Sequence, residues 1–261
     1  MMLKGKTALV TGSTSGIGQG IAEALAAQGA NIVLNGFGEA AAIEKLRGEI
    51  AAQNGVTVRY DGADMSQPAE IARLVKQAQD EFGAIDVLVN NAGIQYVAPI
   101  EEFPDERWDA VIAINLSAAF HATKAALPAM RKTGWGRIIN IASAHGLSAS
   151  AEKSAYVAAK HGIVGLTKVI GLEIADHGVT CNAICPGWVL TPLVKKQIED
   201  RAAATGRSYE ETKLEMVAEK TPSKDFSTPE QIGGLAAFLC SASADQITGA
   251  PLSIDGGWMA Q

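Results

Sequence analysis

Tyr156 and Lys160 stand four residues apart in Tyr156-Val157-Ala158-Ala159-Lys160, and Ser143 precedes the tyrosine by thirteen positions. Side chains at i and i+4 share one face of a helix, so the lysine ammonium is expected beside the phenol. A phenol with a pKa near ~10 is a poor base at neutral pH. A neighbouring positive charge favours the phenolate and lowers that value. A serine hydroxyl held opposite hydrogen-bonds the same reacting oxygen. Such a trio removes a proton from an alcohol or returns one to a carbonyl, and a hydride must move with it.

The hydride acceptor is suggested upstream, in Thr11-Gly12-Ser13-Thr14-Ser15-Gly16-Ile17-Gly18. An apolar strand runs into this turn, and a helical pattern with Ile17, Ile21 and Leu25 leaves it. Gly12 allows the tight turn, Gly16 lets the backbone approach a pyrophosphate, and Gly18 lets the helix pack close to the sheet. The helix N-terminus adds N–H donors for the phosphates. The spacing is G-x-x-x-G-x-G rather than G-x-G-x-x-G, and alone it is a weak signal.

Apolar runs alternate with helical patterns along the whole chain, which predicts βαβ units with right-handed crossovers. Strands are expected near 7–11, 31–35, 56–60, 86–90, 136–141, 179–185 and 251–254. Helices are expected near 17–28, 39–53, 68–81, 105–131, 154–176 and 229–241. The fold class is α/β: one domain over 1–261, a Rossmann-like doubly wound parallel sheet of about seven strands with helices on both faces. The stretch 190–225 breaks the rhythm, being charged and helix-prone without a strand pattern. It leaves the carboxyl end of a strand, where open sheets bind ligands, so it reads as a mobile helical lid over the substrate.

Composition narrows the function. Hydrophobic residues make up 48% with 27 glycines, as expected where strands are buried on both faces. The net charge of −6 offers no basic stripe for nucleic acid, and no cationic amphipathic helix suggests a membrane surface. Neither a signal peptide nor an unbroken apolar run of about 18 residues is evident, so a cytoplasmic protein is expected. Cys181, Cys185 and Cys240 form no disulfide framework, and the first two alternate along one strand face as small buried side chains. No metal site is expected.

The chain resembles the short-chain dehydrogenase/reductase family over essentially all 261 residues. The family's motifs appear in order: the glycine turn, Asn90-Asn91-Ala92-Gly93, Asn115, Ser143, Tyr156-x-x-x-Lys160 and Pro186-Gly187. The resemblance implies that Tyr156 is the general base or acid, with Lys160 lowering its pKa and bonding the nicotinamide ribose. Ser143 then steadies charge on the reacting oxygen, and Asn115 positions a water that links Lys160 to solvent. The same resemblance puts Gly12, Thr14, Ser15, Gly16, Ile17 and Gly18 around the dinucleotide, with Asp64 and Met65 at the adenine. Asn91, Ala92 and Gly93 run along the ribose, and Thr191 reaches the carboxamide after Pro186, Gly187 and Val189. Many NAD-specific members carry an acid after the second strand, whereas this chain has Asn35-Gly36-Phe37-Gly38. It also lacks the cations that NADP-dependent members place there or at Ser13 and Thr14, so NAD is the expected cofactor, with Phe37 near the adenosine. A homotetramer is implied, built on the long helices of 105–131 and 154–176.

Residues flanking the trio bear on the substrate. Gln95, His145, Lys153 and Gln197 are too many polar donors for a steroid or retinoid, and they suit a small carboxylate. Trp188 and Trp258 would wall off its alkyl part. The set resembles the branch of the family that oxidises short D-3-hydroxy acids to 3-oxo acids. Two rivals share features: reductases of carrier-protein-bound 3-oxoacyl groups, and redox sensors that hold NAD without turnover.

Overall fold

A computed structural model describes residues 1–260. Seven strands form one sheet: β1 (Thr7–Val10), β2 (Asn31–Asn35), β3 (Val58–Asp61), β4 (Val87–Asn90), β5 (Gly136–Ile141), β6 (Val179–Pro186) and β7 (Pro251–Ile254). All pairings are parallel, in the order β3-β2-β1-β4-β5-β6-β7. Strand order reverses between β1 and β4, and a doubly wound sheet opens a ligand crevice at the carboxyl ends there.

Period-two alternation sorts the core into two layers. Ala8, Val10, Ile32, Leu34, Val87 and Val89 face α1 (Gly16–Ala27), α2 (Ala40–Asn54) and α9 (Pro229–Leu239). Leu9, Val33, Leu88, Ile138 and Cys181 face α3 (Pro68–Phe82), α5 (Ala118–Thr133) and α6 (Ser154–Glu173). Helices therefore cover both faces, and the apolar runs need no polar side. All three cysteines are buried and free.

The helix expected over 105–131 is interrupted. It comprises α4 (Asp105–Ile112), a π turn at Ala113–Ser117, and α5. The run Asp105–Thr133 is long enough for a membrane span and contains an 18-residue stretch of mean hydropathy 1.3. Its apolar side is nevertheless occupied, because Ala118, Ala122, Ala126 and Met130 are buried against the sheet.

The 190–225 excursion contains α7 (Pro192–Thr205) and α8 (Tyr209–Ala218). Thr191 caps α7 by accepting from Val194 N–H, and Ser208 with Glu211 forms a capping box on α8. Ile198, Met216, Val217 and Phe226 give the excursion a small core of its own. Its two ends are joined where Ser227 N–H donates to the Trp188 carbonyl and Leu190 N–H to that of Ser227, both at 2.9 Å.

Candidate active site

The first turns of α6 and the end of β5 bring the trio together. Lys160 is buried and donates through Nζ to the Ile141 carbonyl at 2.7 Å, 5.5 Å from the Tyr156 ring centroid. Burial pulls the Lys160 ammonium down to about 8. Burial also raises the Tyr156 phenol above its ordinary value, and the hydrogen bond from Ser143 opposes that rise. In this geometry burial, rather than Lys160, sets the direction of the phenol's shift.

Asn115 lies in the π turn, a geometry that often marks functional sites. Its Nδ2 donates to the carbonyls of Ile94, at 2.8 Å, and Val111, at 3.0 Å. Its Oδ1 is buried and has no partner among the described residues, which leaves an acceptor beside the trio. Gly93 passes so close that a Cβ there would stand 2.5 Å from that oxygen.

The glycine turn forms a cradle only small residues permit. Gly12 has φ 62°, and a Cβ on it would lie 2.9 Å from Ala92 Cα. A Cβ on Gly18 would lie 2.4 Å from the Gly12 carbonyl oxygen. Thr11 Oγ1 accepts from the N–H groups of Asn91 and Ala92, both at 3.0 Å, while Asn91 Nδ2 donates to the Thr11 and Gly12 carbonyls. Asn91 therefore binds the turn with its side chain and offers the crevice only its surface.

One cleft of about 360 Å³ joins these parts. Gly12, Ser15, Gly16, Ile17 and Gly18 line one end, and Ala92, Gly93, Asn115, Ser143, Tyr156 and Lys160 the middle. Gln95, Pro186, Gly187 and Thr191 also line it. Among the expected dinucleotide contacts, Thr14 and Phe37 shape the loop after β2 rather than the cleft lining. Thr14 Oγ1 donates to the Phe37 carbonyl at 2.9 Å, and the Phe37 ring is 69% exposed. Asn35 is fully buried and donates to the carbonyls of Asp61 and Ala63. Asp64 accepts from Ser66 N–H at 2.8 Å. Met65 and Val189 depart from expectation: Met65 joins the α3-side core and Val189 is buried in the β-bridge to Ser227. Their apolar side chains gain more from the core than from an open crevice.

On the substrate side, His145 is 6% exposed and packs edge-on against Tyr156 and Trp258, with centroids 6.0 and 5.2 Å away. Its pKa is pulled down to about 4, first by burial and then by the charges of Lys153 and Lys220. Burial, followed by Lys220, also lowers that of Lys153. The imidazole is therefore neutral at neutral pH, beside a concentration of positive charge. Two expected residues are not brought to this cluster. Gln197 is exposed on α7, because its neighbour Ile198 turns inward to the excursion's core. Trp188 packs against that same core, edge-on to Phe226, and its indole N–H is buried without a partner among the described residues. Sequence reasoning missed Lys220 and also Ser150, whose hydroxyl meets His145 Nε2 at 2.8 Å. Lys220 closes a charged excursion with no periodic signal. The small polar run Ser148-Ala149-Ser150 just after His145 was the one available hint for the other.

Comparison with known proteins agrees with this geometry. Residues 6–202 match the family described as short chain dehydrogenase. D-beta-hydroxybutyrate dehydrogenase of Cupriavidus necator is 64% identical over 261 residues, covering 100% of both chains. The protein of the same name from Rhizobium meliloti is 56% identical over 256 residues, covering 98% of this chain and 99% of its own. Among solved structures, a variant of actinorhodin polyketide ketoreductase with NADPH superposes with a TM-score of 0.91 at 35% identity, covering 100% of this chain and 99% of the other.

Proposed function

Because the chain belongs to the short-chain dehydrogenase family, we propose that it is an NAD-dependent D-3-hydroxybutyrate dehydrogenase, interconverting (R)-3-hydroxybutyrate and acetoacetate. The observation that carries the substrate is the cluster of His145 and Lys153 beside Tyr156, with Gln95 on the cleft wall. A neutral imidazole, an ammonium and an amide hold a carboxylate while the C3 hydroxyl reaches the phenol. Trp258 backs His145 and borders the methyl group. The D configuration is taken from the relatives' names.

The residues present fit NAD. The Gly12–Gly18 cradle admits backbone to a pyrophosphate, and the loop at 35–38 offers no cation for a 2′-phosphate. When bound, NAD supplies the acceptor for the hydride that leaves C3. The Tyr156 oxygen takes the C3 hydroxyl proton, and Ser143 donates to the oxygen that becomes the ketone. Lys160, 5.5 Å from the Tyr156 ring and an ammonium at neutral pH, would oppose the desolvation that disfavours the phenolate. The unpartnered Asn115 Oδ1 would accept from a water through which the proton passes outward. In the reductive direction Tyr156 returns that proton.

The same reading makes 190–225 a lid that closes through α7, which brings Gln197 and Trp188 toward the substrate. It also makes the protein a cytoplasmic homotetramer. Phe120, Val169 and Leu172 are exposed on α5 and α6, beside a groove lined by Leu127 and Leu166, and two copies would bury them. Initial rates with NAD and NADP test the proposal on D- and L-3-hydroxybutyrate, the methyl ester and a 3-hydroxyacyl thioester. The D acid with NAD should be preferred. Preference for the thioester with NADP would identify an acyl reductase instead, and NAD binding without turnover would identify a sensor.

A further inference from the structure

We propose that Ser150 is a positioning residue of the substrate site: its hydroxyl donates to Nε2 of His145 and fixes the imidazole with its proton on Nδ1. This rests on the reading that His145 binds the substrate carboxylate. Ser150 lies on the loop that also carries Ser143, His145 and Lys153, between β5 and α6. Its Oγ stands 2.8 Å from Nε2 and makes no other hydrogen bond among the described residues.

The ring itself is held from several sides. The backbone N–H of His145 donates to Ser143 Oγ at 3.1 Å, and the imidazole packs edge-on against both Tyr156 and Trp258. The far end of the loop is anchored by Ala98 N–H donating to the Glu152 carbonyl at 3.0 Å. These contacts favour the arrangement in which Ser150 Oγ and His145 Nε2 meet at 2.8 Å.

The choice of tautomer matters because this imidazole is neutral. Burial and two nearby ammonium groups keep it from becoming a double donor. A neutral ring offers one N–H and one lone pair. Which nitrogen carries the proton is set by the bond the other makes. If Ser150 donates to Nε2, the remaining nitrogen is Nδ1–H, a donor for a carboxylate oxygen. If the proton sat on Nε2, Nδ1 would present a lone pair to an anion and repel it. Ser150 thus acts on substrate affinity without touching substrate.

The test begins with nitrogen-15-labelled histidine in the full-length enzyme near neutral pH, without substrate. Long-range proton–nitrogen correlations should show Nδ1 of His145 protonated and Nε2 bare. A proton on Nε2 in the wild-type enzyme overturns the proposal. Ser150→Ala should mix the two tautomers and raise KM for D-3-hydroxybutyrate roughly three- to tenfold, the range of one neutral hydrogen bond. Under the same substitution kcat should change less than KM, and KM for the methyl ester should barely move. Ser150→Thr, which keeps the hydroxyl, should restore both tautomer and KM. Equal losses on acid and ester, or no rescue by threonine, would make Ser150 merely structural and overturn the assignment. If D-3-hydroxybutyrate is not turned over at all, the functional reading fails on its own. The spectrum of the free enzyme then still decides whether Ser150 sets the ring.

Discussion

Replacing Gly18 with alanine tests how closely the first turn of α1 must approach the loop before it. The added Cβ would stand 2.4 Å from the Gly12 carbonyl oxygen and 2.5 Å from Asn91 Nδ2. Neither neighbour yields easily, since one is backbone and the other is held by bonds to the Thr11 and Gly12 carbonyls. Ordinary contacts lie near ~3.5 Å, so the helix start must shift by about 1 Å. Overpacking of this kind costs about 1–3 kcal/mol. Alanine regains about 0.5–1 kcal/mol over glycine inside a helix, which offsets part of that. Cofactor affinity should suffer more than stability. A displaced helix N-terminus loses at least one N–H donation to the pyrophosphate, and a bond to a charged group contributes roughly 1.5–3 kcal/mol. NADH affinity should therefore fall about ten- to a hundredfold. Fluorescence titration of NADH measures this directly, with thermal melts alongside. Gly48→Ala in α2 is the control, because a Cβ there meets nothing within 4 Å. It should bind NADH normally and melt slightly higher. If Gly18→Ala binds NADH within about twofold of wild type, helix α1 is not the dinucleotide's seat and the cradle argument fails.

Four further outcomes follow from the same geometry. Tyr156→Phe should lower turnover by about 10² to 10⁴ while NADH still binds, and a variant keeping a tenth of the rate would assign the proton to another group. Lys153→Met should cut kcat/KM on D-3-hydroxybutyrate about ten- to a hundredfold but spare the methyl ester, and equal losses on both would remove Lys153 from carboxylate recognition. Phe37→Arg should raise the NADPH/NADH ratio of kcat/KM values, because residue 37 is exposed on a loop without cations; an unchanged ratio would show that it does not face the 2′ position. His145 is a base held at about 4 when folded, against about 6.5 unfolded, so the unfolded chain takes up the proton first as pH falls. Stability should drop by roughly 3 kcal/mol between about pH 6.5 and 4, urea unfolding of His145→Gln should show a smaller acid loss, and an identical loss would refute the assignment.

The sheet was readable because its strands are buried on both faces, so each appears as an apolar run whatever its partners. The two edge strands are the exceptions, β7 having no fully buried residue and β3 being half polar. At the sheet edge, Val58-Arg59-Tyr60-Asp61 is half polar, and the expected strand at 56–60 began two residues early. The π turn was not readable, since nothing in Ala113-Ile114-Asn115-Leu116-Ser117 departs from a helical pattern. Asn115 bonds the carbonyl of Ile94, 21 residues away in sequence, and only the folded chain supplies that partner. Gln197 and Trp188 stand away from the cluster for a related reason. The way α7 docks on α8 decides which side of the helix is buried, and Ile198 takes the inward place. The trio divides along the same line. Four residues on one helix bring Tyr156 and Lys160 together, so their meeting was legible. Their ionisation depends on how much water every surrounding element removes, and here burial moves both groups toward their neutral forms. A lysine four residues on is therefore a statement about position. Only the packed site determines whether its charge acts on the phenol.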